Sequence, residues 1–355
     1  MMTEAILKNE ERAIFTLRSL YRRYGYAPYK MSRFEEYDLY VRNKDFLVSD
    51  QIITFSGDRG KLMALKPDVT LSIVKNAPEE PGVVQKVYYN ENVYRDYREI
   101  LQAGLECVGD LGDYEIAEVV LLAAKSLEAL GSHYVLNLSH MGLIMAVLES
   151  CGLKNNRKAM ECLRRKNLHE LETLCSGNSA AWEKLSGLLR CRGGAEQLEV
   201  IGAVLTTEAE KQTLQELTQL WKLLEASGYA DHVRLDFSVG TSMGYYSGVV
   251  FRGYLEGIPE SVLSGGQYDK LPRKMGRKAR AIGFAIYLDL LQGLYSREQE
   301  QIVDTLILHD GTVNTAVLTA AAAEAAKSGT ILVTRKLPEA QNYRTLIRFE
   351  KGARV

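Results

Sequence analysis

Cysteine is scarce and unpatterned in this chain of 355 residues. Cys107, Cys151, Cys162, Cys175 and Cys191 are odd in number and show no CxxC spacing. That argues against a disulfide framework and offers no ligand set for zinc or another metal. A basic excess is missing as well. Lys and Arg total 44 against 45 Asp and Glu, a formal net charge of -1, so the bulk charge gives no support to a large nucleic-acid footprint. No stretch approaches the roughly 18 to 20 apolar residues of a membrane span. Residues 1–15 are charged and lack an apolar core, unlike a signal peptide. These absences predict a cytoplasmic protein of a reduced compartment. The length suits one large domain plus a smaller one, or a large domain carrying an insertion.

The richest stretch is Thr241 to Leu271, TSMGYYSGVVFRGYLEGIPESVLSGGQYDKL. Tyr245 and Tyr246 stand before the apolar run Val249-Val250-Phe251, and a strand carrying them would send one ring to each face of a sheet. Leu263 to Asp269 reads as a second strand, whose Gly265-Gly266 pair lets backbone approach backbone or ligand closely. A β-hairpin with an aromatic cross-strand pair is the plainer reading. Earlier, Leu101 to Val108 reads as the return partner of a strand over Val83 to Tyr94. Gln102, Gly104 and Glu106 alternate there, so Gln102 and Glu106 share a face. Buried, they are costly unless paired or turned to a ligand; the alternative is a solvent-facing polar stripe. Pro67 opens a helix with Asp68 and Thr70 in its first turn, where an acid suits the macrodipole.

MGYYSGVVF resembles the LDYYTGTVF signature of histidyl-tRNA synthetases, and LSGGQYDKL resembles their GGGRYDGL, in the same order and at a similar separation. The resemblance covers roughly residues 5 to 295. The N-terminal helix (residues 3–24), ended by Gly25, and the strand and aromatic-rich segment after it resemble motif 1 of class II synthetases, which makes the dimer interface in that class. LKPDVT resembles LRPEGT, which implies that Asp68 and Thr70 contact an amino acid's α-amino group. VVQKVYYNENVYRDYREILQAGLECVG resembles motif 2, with Arg95 matching its first Arg. Gln102 and Glu106 match residues that hold the substrate histidine, Glu106 taking an imidazole N–H. The mostly helical residues 155–228 resemble the insertion between motifs 2 and 3, and Ala279 to Leu290 resembles motif 3, PAVGFAxGLERL. His140 reads as structural.

The ATP side departs from the pattern at three places. Only Asp96 and Tyr97 separate Arg95 from Arg98, so the motif 2 loop that holds ATP in synthetases is gone. Leu290 occupies the place of the motif 3 arginine and Asp289 that of its Glu. Thr241 occupies the place of the arginine that faces the substrate carboxylate, leaving Arg98 to serve in its stead. Without fixed positive charge around the phosphates, adenylation is not expected.

A synthetase-like body that retains a histidine pocket resembles the regulatory subunits of ATP phosphoribosyltransferase. The resemblance implies an α+β fold: an antiparallel sheet flanked by helices over residues 1–298, with the insertion, and a small α/β remnant of an anticodon-binding domain over 299–355. It implies no catalytic residue, metal or cofactor, and a ligand pocket of Asp68, Thr70, Arg98, Gln102, Glu106, Tyr245 and Tyr246. The implied partners are a short catalytic subunit, a second copy across the motif 1 region, and histidine as effector, with tRNA no longer expected. The rival readings are an active histidyl-tRNA synthetase and a histidine-binding paralogue with another partner.

Overall fold

A computed structural model describes residues 9–47, 49, 51–239, 244–291, 303–338 and 342–355. The first helix, α1 (Asn9–Arg23), buries Ala13, Leu17 and Tyr21 at four-residue spacing, one face of a helix. Glu10 and Glu11 in its first turn and Arg22 and Arg23 in its last complement the macrodipole. Gly25 ends it at a φ of +81°. There follow β1 (Ala27–Pro28), β2 (Phe34–Glu36), α2 (Tyr37–Arg42), β3 (Thr54–Ser56), β4 (Leu62–Leu65) and α3 (Thr70–Asn76). Strands β2, β4 and β3 form a small antiparallel sheet in the order β2-β4-β3.

A long hairpin, β5 (Val84–Arg95) with β6 (Arg98–Gly109), enters the main sheet toward one edge, next to the two-residue β1. Next come α4 (Asp113–Leu130), β7 (Tyr134–His140), α5 (Met141–Ser150), and then five helices. These are α6 (Arg157–Arg165), α7 (Leu168–Leu174), α8 (Ser179–Arg190), α9 (Glu196–Gly202) and α10 (Glu208–Ala226). The chain then returns to the sheet with β8 (Val233–Leu235), β9 (Val249–Leu255), β10 (Leu263–Gln267), the short α11 (Lys270–Lys274) and β11 (Arg280–Tyr287). The sheet has eight strands in the order β1-β5-β6-β11-β10-β9-β7-β8. It is antiparallel throughout except at β1/β5 and β7/β8.

One face of this sheet is covered by α1 and α4. Tyr21 shares a 3.0 Å hydrogen bond with Ser126 of α4 and sets its ring edge-on to Phe284 of β11, 6.1 Å between centroids. With that face closed, β6 and β11 offer their other side chains to a cavity. His140 caps α5: its Nδ1 accepts the Leu143 N–H at 3.2 Å, a structural role of the kind the sequence suggests.

The chain divides into two compact units, residues 1–292 and 293–355. Within the second, β12 (Val303–His309), α12 (Thr315–Ala326), β13 (Ile331–Thr334), β14 (Tyr343–Glu350) and β15 (Ala353–Arg354) make a sheet ordered β13-β12-β14-β15. Ile307, Val313 and Phe349 are its small buried core, with Leu318, Ala321 and Ala322 packed against it. Among the described residues, no helix is long and apolar enough to cross a membrane. No His, Cys, Asp or Glu side chains among them gather into a set able to hold a metal ion.

Candidate functional site

Register builds the floor of the cavity. Glu106, Gly104 and Gln102 of β6 stand opposite Gly283, Ala285 and Tyr287 of β11, and opposite residues of an antiparallel pair share a face. From the other side of β11, Gly266 and Ser264 of β10 align with Gly283 and Ala285. The floor is therefore small residues, which leaves room above it. Gly283 is required sterically: a Cβ there would lie 1.7 Å from Glu106 Oε2 and 2.6 Å from the Leu105 carbonyl oxygen. Gly283→Ala is therefore expected to cost about 1–3 kcal/mol by overpacking. It should also displace the Glu106 carboxyl, an outcome read by thermal melts beside ligand titration.

Glu106 is 2% exposed. Its Oε1 accepts the Thr70 hydroxyl at 2.7 Å, and its Oε2 accepts the Tyr268 hydroxyl. Burial nevertheless wins over these bonds and pushes the carboxyl up to about 8, with Asp68 nearby adding to the rise. At neutral pH the carboxyl is thus mostly protonated, able to donate one hydrogen bond to a ligand or to lose its proton beside a cation.

Asp68 serves two purposes. Its Oδ1 accepts the Leu71 N–H at 2.9 Å, bracing the first turn of α3, and the residue also lines the cavity. The helix-start and pocket readings of this acid are therefore compatible. Burial raises its pKa, against the pull of the Leu71 N–H and of Arg95.

The tyrosine pair departs from expectation. Tyr245 and Tyr246 lie in a turn before β9, not in the strand. Freed from strand alternation, their rings sit 4.5 Å apart and both line the same cavity. Gly266 makes this possible, since a Cβ on it would meet the Tyr246 ring at 2.8 Å. Phe46 closes over Tyr245 at 5.7 Å.

Six of the seven expected residues line this cavity: Asp68, Thr70, Gln102, Glu106, Tyr245 and Tyr246. Arg98 does not. It is exposed beside a two-residue hairpin turn, Asp96 (φ 51°) and Tyr97 (φ 60°), left-handed at both positions as a type I′ turn requires. Arg95, its cross-strand partner, lines the cavity instead, 7% exposed and with its Nε unpartnered. The sequence marks Arg95 only as a motif match. Its burial, the Tyr268 hydroxyl on Glu106 and the Tyr287 wall are features of the site that the sequence pattern alone does not show. Tyr268 carries a signal, since it belongs to the GGGRYDGL-like stretch. Asp289 accepts the Leu101 N–H at 3.1 Å, so it pins the start of β6, and Leu290 follows in a single 3₁₀ turn. Thr241 falls outside the described residues.

The model of the family described as histidyl-tRNA synthetase matches residues 2–291. The chain belongs to that family. Within it, the chain is 27% identical over 291 residues to the ATP phosphoribosyltransferase regulatory subunit of Clostridium kluyveri, covering 77% of this chain and 74% of the relative. Among solved structures it is similar to a protein described as an ATP phosphoribosyltransferase regulatory subunit/histidyl-tRNA synthetase from Bacillus halodurans C. That match has a TM-score of 0.76 at 24% identity, over 96% of this chain and 93% of the other. A chain of the Thermotoga maritima ATP phosphoribosyl transferase complex aligns at a TM-score of 0.62 and 18% identity, over 79% of this chain and 97% of the other. The fold is that of the family, the α+β architecture of class II synthetases.

Proposed function

We propose that this chain is the regulatory, non-catalytic subunit of ATP phosphoribosyltransferase, serving a short catalytic subunit in the first step of histidine biosynthesis. The observation that carries this reading is the Asp96–Tyr97 turn, two residues long, beside a furnished amino-acid pocket. Synthetases hold ATP with the loop that is missing here, and phosphate chemistry rests on fixed positive charge and positioning. Leu290 supplies neither. The names carried by relatives such as the Clostridium kluyveri protein support the same reading.

Histidine is the effector in this proposal. Its imidazole meets Glu106 and the tyrosines, its α-amino group meets Asp68 and Thr70, and its carboxylate turns to Arg95, the cavity's buried cation. Regulation is then linkage: a ligand that binds two states of the complex unequally shifts the population toward the one it prefers. A second copy docks across the N-terminal region, where the exposed pair Phe34 and Phe55 offers apolar surface. A tRNA role is not part of the proposal.

Calorimetric titration of the purified chain with histidine, alone and with the catalytic subunit, tests it. Binding whose affinity changes when the partner is added is the expected result, with no histidine-dependent exchange of pyrophosphate into ATP. Clear exchange would restore the synthetase reading. Absence of binding in both states would leave a scaffold subunit with an inherited pocket.

A further inference from the structure

We infer that Tyr287 is a specificity-determining plug: it closes the pocket behind the ligand's carboxylate, so that a free amino acid fits and carboxyl-extended derivatives, aminoacyl nucleotides among them, are excluded. The inference rests on the amino-acid reading of the pocket. Its first support is register. The face that β11 turns to the cavity runs Gly283, Ala285, Tyr287, two small residues and then a large ring. Glu106, Tyr268 and Thr70 close one end of this row through their hydrogen bonds. Tyr287, opposite Gln102, stands at the other.

The second support is the direction of charge. On β5, Val87 pairs with Glu106, Glu91 with Gln102, and Arg95 with Arg98. Arg95 therefore lies beyond Gln102 along the strands, toward the Tyr287 end. A zwitterionic ligand with its side chain at Glu106 directs its carboxylate that way. Tyr287 lines the cavity at that end, on the side of the row across from Arg95, so in this proposal its ring takes the space that a group attached to the carboxylate would need.

The third support is how the ring is held. Its hydroxyl shares a 3.0 Å hydrogen bond with Ser264 Oγ, and its backbone N–H donates to the Val262 carbonyl at 2.9 Å. In the motif 3-like run Gly283-Phe284-Ala285-Ile286-Tyr287-Leu288, the pattern GFAxGL places glycine where this tyrosine stands. A glycine at 287 would lengthen the small-residue floor by one two-residue strand step, about 7 Å.

The experiment compares the whole chain with Tyr287→Gly and Tyr287→Phe, titrated with histidine and with histidine joined through its carboxyl to a nonhydrolysable sulfamoyl-adenosine. The wild type is expected to bind histidine and to reject the extended compound. Tyr287→Gly should bind the extended compound at least about tenfold more tightly than the wild type does, because a steric block has been removed. Tyr287→Phe loses the Ser264 bond yet keeps the ring, and should still exclude it. Equal affinity of the wild type for both compounds overturns the plug, as does continued exclusion by a folded Tyr287→Gly. A crystal structure of Tyr287→Gly separates the two levels of the argument. A lengthened pocket that binds no histidine sinks the amino-acid reading alone, whereas an unchanged pocket overturns the plug.

Discussion

Replacing Glu106 with Gln is expected to flatten the pH dependence of stability between about pH 4.5 and 8 and to cut histidine affinity. The folded carboxyl stands at about 8 and the ordinary value is 4.5. Between those limits the folded chain keeps a proton that the unfolded chain has released. Stability measured without added ligand therefore falls as pH rises through that window, by up to about 1.4 kcal/mol per pH unit for one proton. Glu106→Gln has nothing to titrate, and its amide oxygen can still accept from Thr70 or Tyr268. Its melting temperature should lose that slope.

Ligand binding gives the same carboxyl a second signature. Between an imidazole pKa of about 6.5 and the Glu106 value of about 8, the free partners bring one proton to the complex between them. Either a neutral ring meets the acid or an imidazolium meets the carboxylate. Below that range binding releases a proton, and above it binding takes one up. Histidine affinity should therefore peak between about pH 6.5 and 8, falling up to roughly tenfold per pH unit on either side. Losing a charge-assisted hydrogen bond costs about 1.5–3 kcal/mol, so Glu106→Gln should weaken binding by roughly 10- to 150-fold and remove the alkaline limb. Calorimetry at pH 5, 7 and 9 reads both effects. A wild-type profile without an alkaline fall would mean that Glu106 does not meet the imidazole.

Strand alternation made much of the pocket legible before any coordinates. The spacing of Gln102 and Glu106 places both on one face whatever the fold, and β6 delivers them there. The helix expected to open at Pro67 starts three residues later, at Thr70, so Asp68 stands ahead of its first turn and reaches it only through the Leu71 N–H. What misled was an assumption about local backbone. Tyr245 and Tyr246 read as strand residues because aromatics favour strands, but they sit in a turn whose geometry suits packing against Gly266. Arg95 and Arg98 were hard to separate for a related reason. Both match an arginine pattern and both lie on one face of the hairpin. The difference is burial: the two stand opposite each other at the turn end of the hairpin, yet Arg98 is exposed whereas Arg95 is covered by the fold. Sequence periodicity gives the face of a strand but not which of two opposed residues the fold covers.

The helical insertion, which carries no recognisable chemistry in its sequence, is expected to show the largest loss of stability from a single change, at Lys184. Its ammonium on α8 donates to Glu210 Oε1 at 2.8 Å and Oε2 at 3.0 Å, and to Thr206 Oγ1 at 2.7 Å. Glu210 is 0% exposed and also accepts the backbone N–H groups of Thr206 and Thr207 at the start of α10. One carboxylate thus caps α10 and ties it to α8. Burial opposes its charge, yet Lys184, Ser150 and those N–H groups hold the carboxyl at about 2. A depressed acid stabilises above its unfolded value of 4.5 and loses that contribution as pH falls toward 2. Lys184→Met leaves the carboxylate buried without its cation, at a cost of about 3–5 kcal/mol near pH 7. The cost should shrink below about pH 4, where the carboxyl of the variant takes up a proton. Lys184→Met combined with Glu210→Gln should recover much of the loss, because the uncompensated charge is gone. Urea unfolding of the single and double variants at pH 7 and pH 4 measures each step. Equal losses at both pH values would assign the effect to packing of the lysine stem instead of to the charge it neutralises.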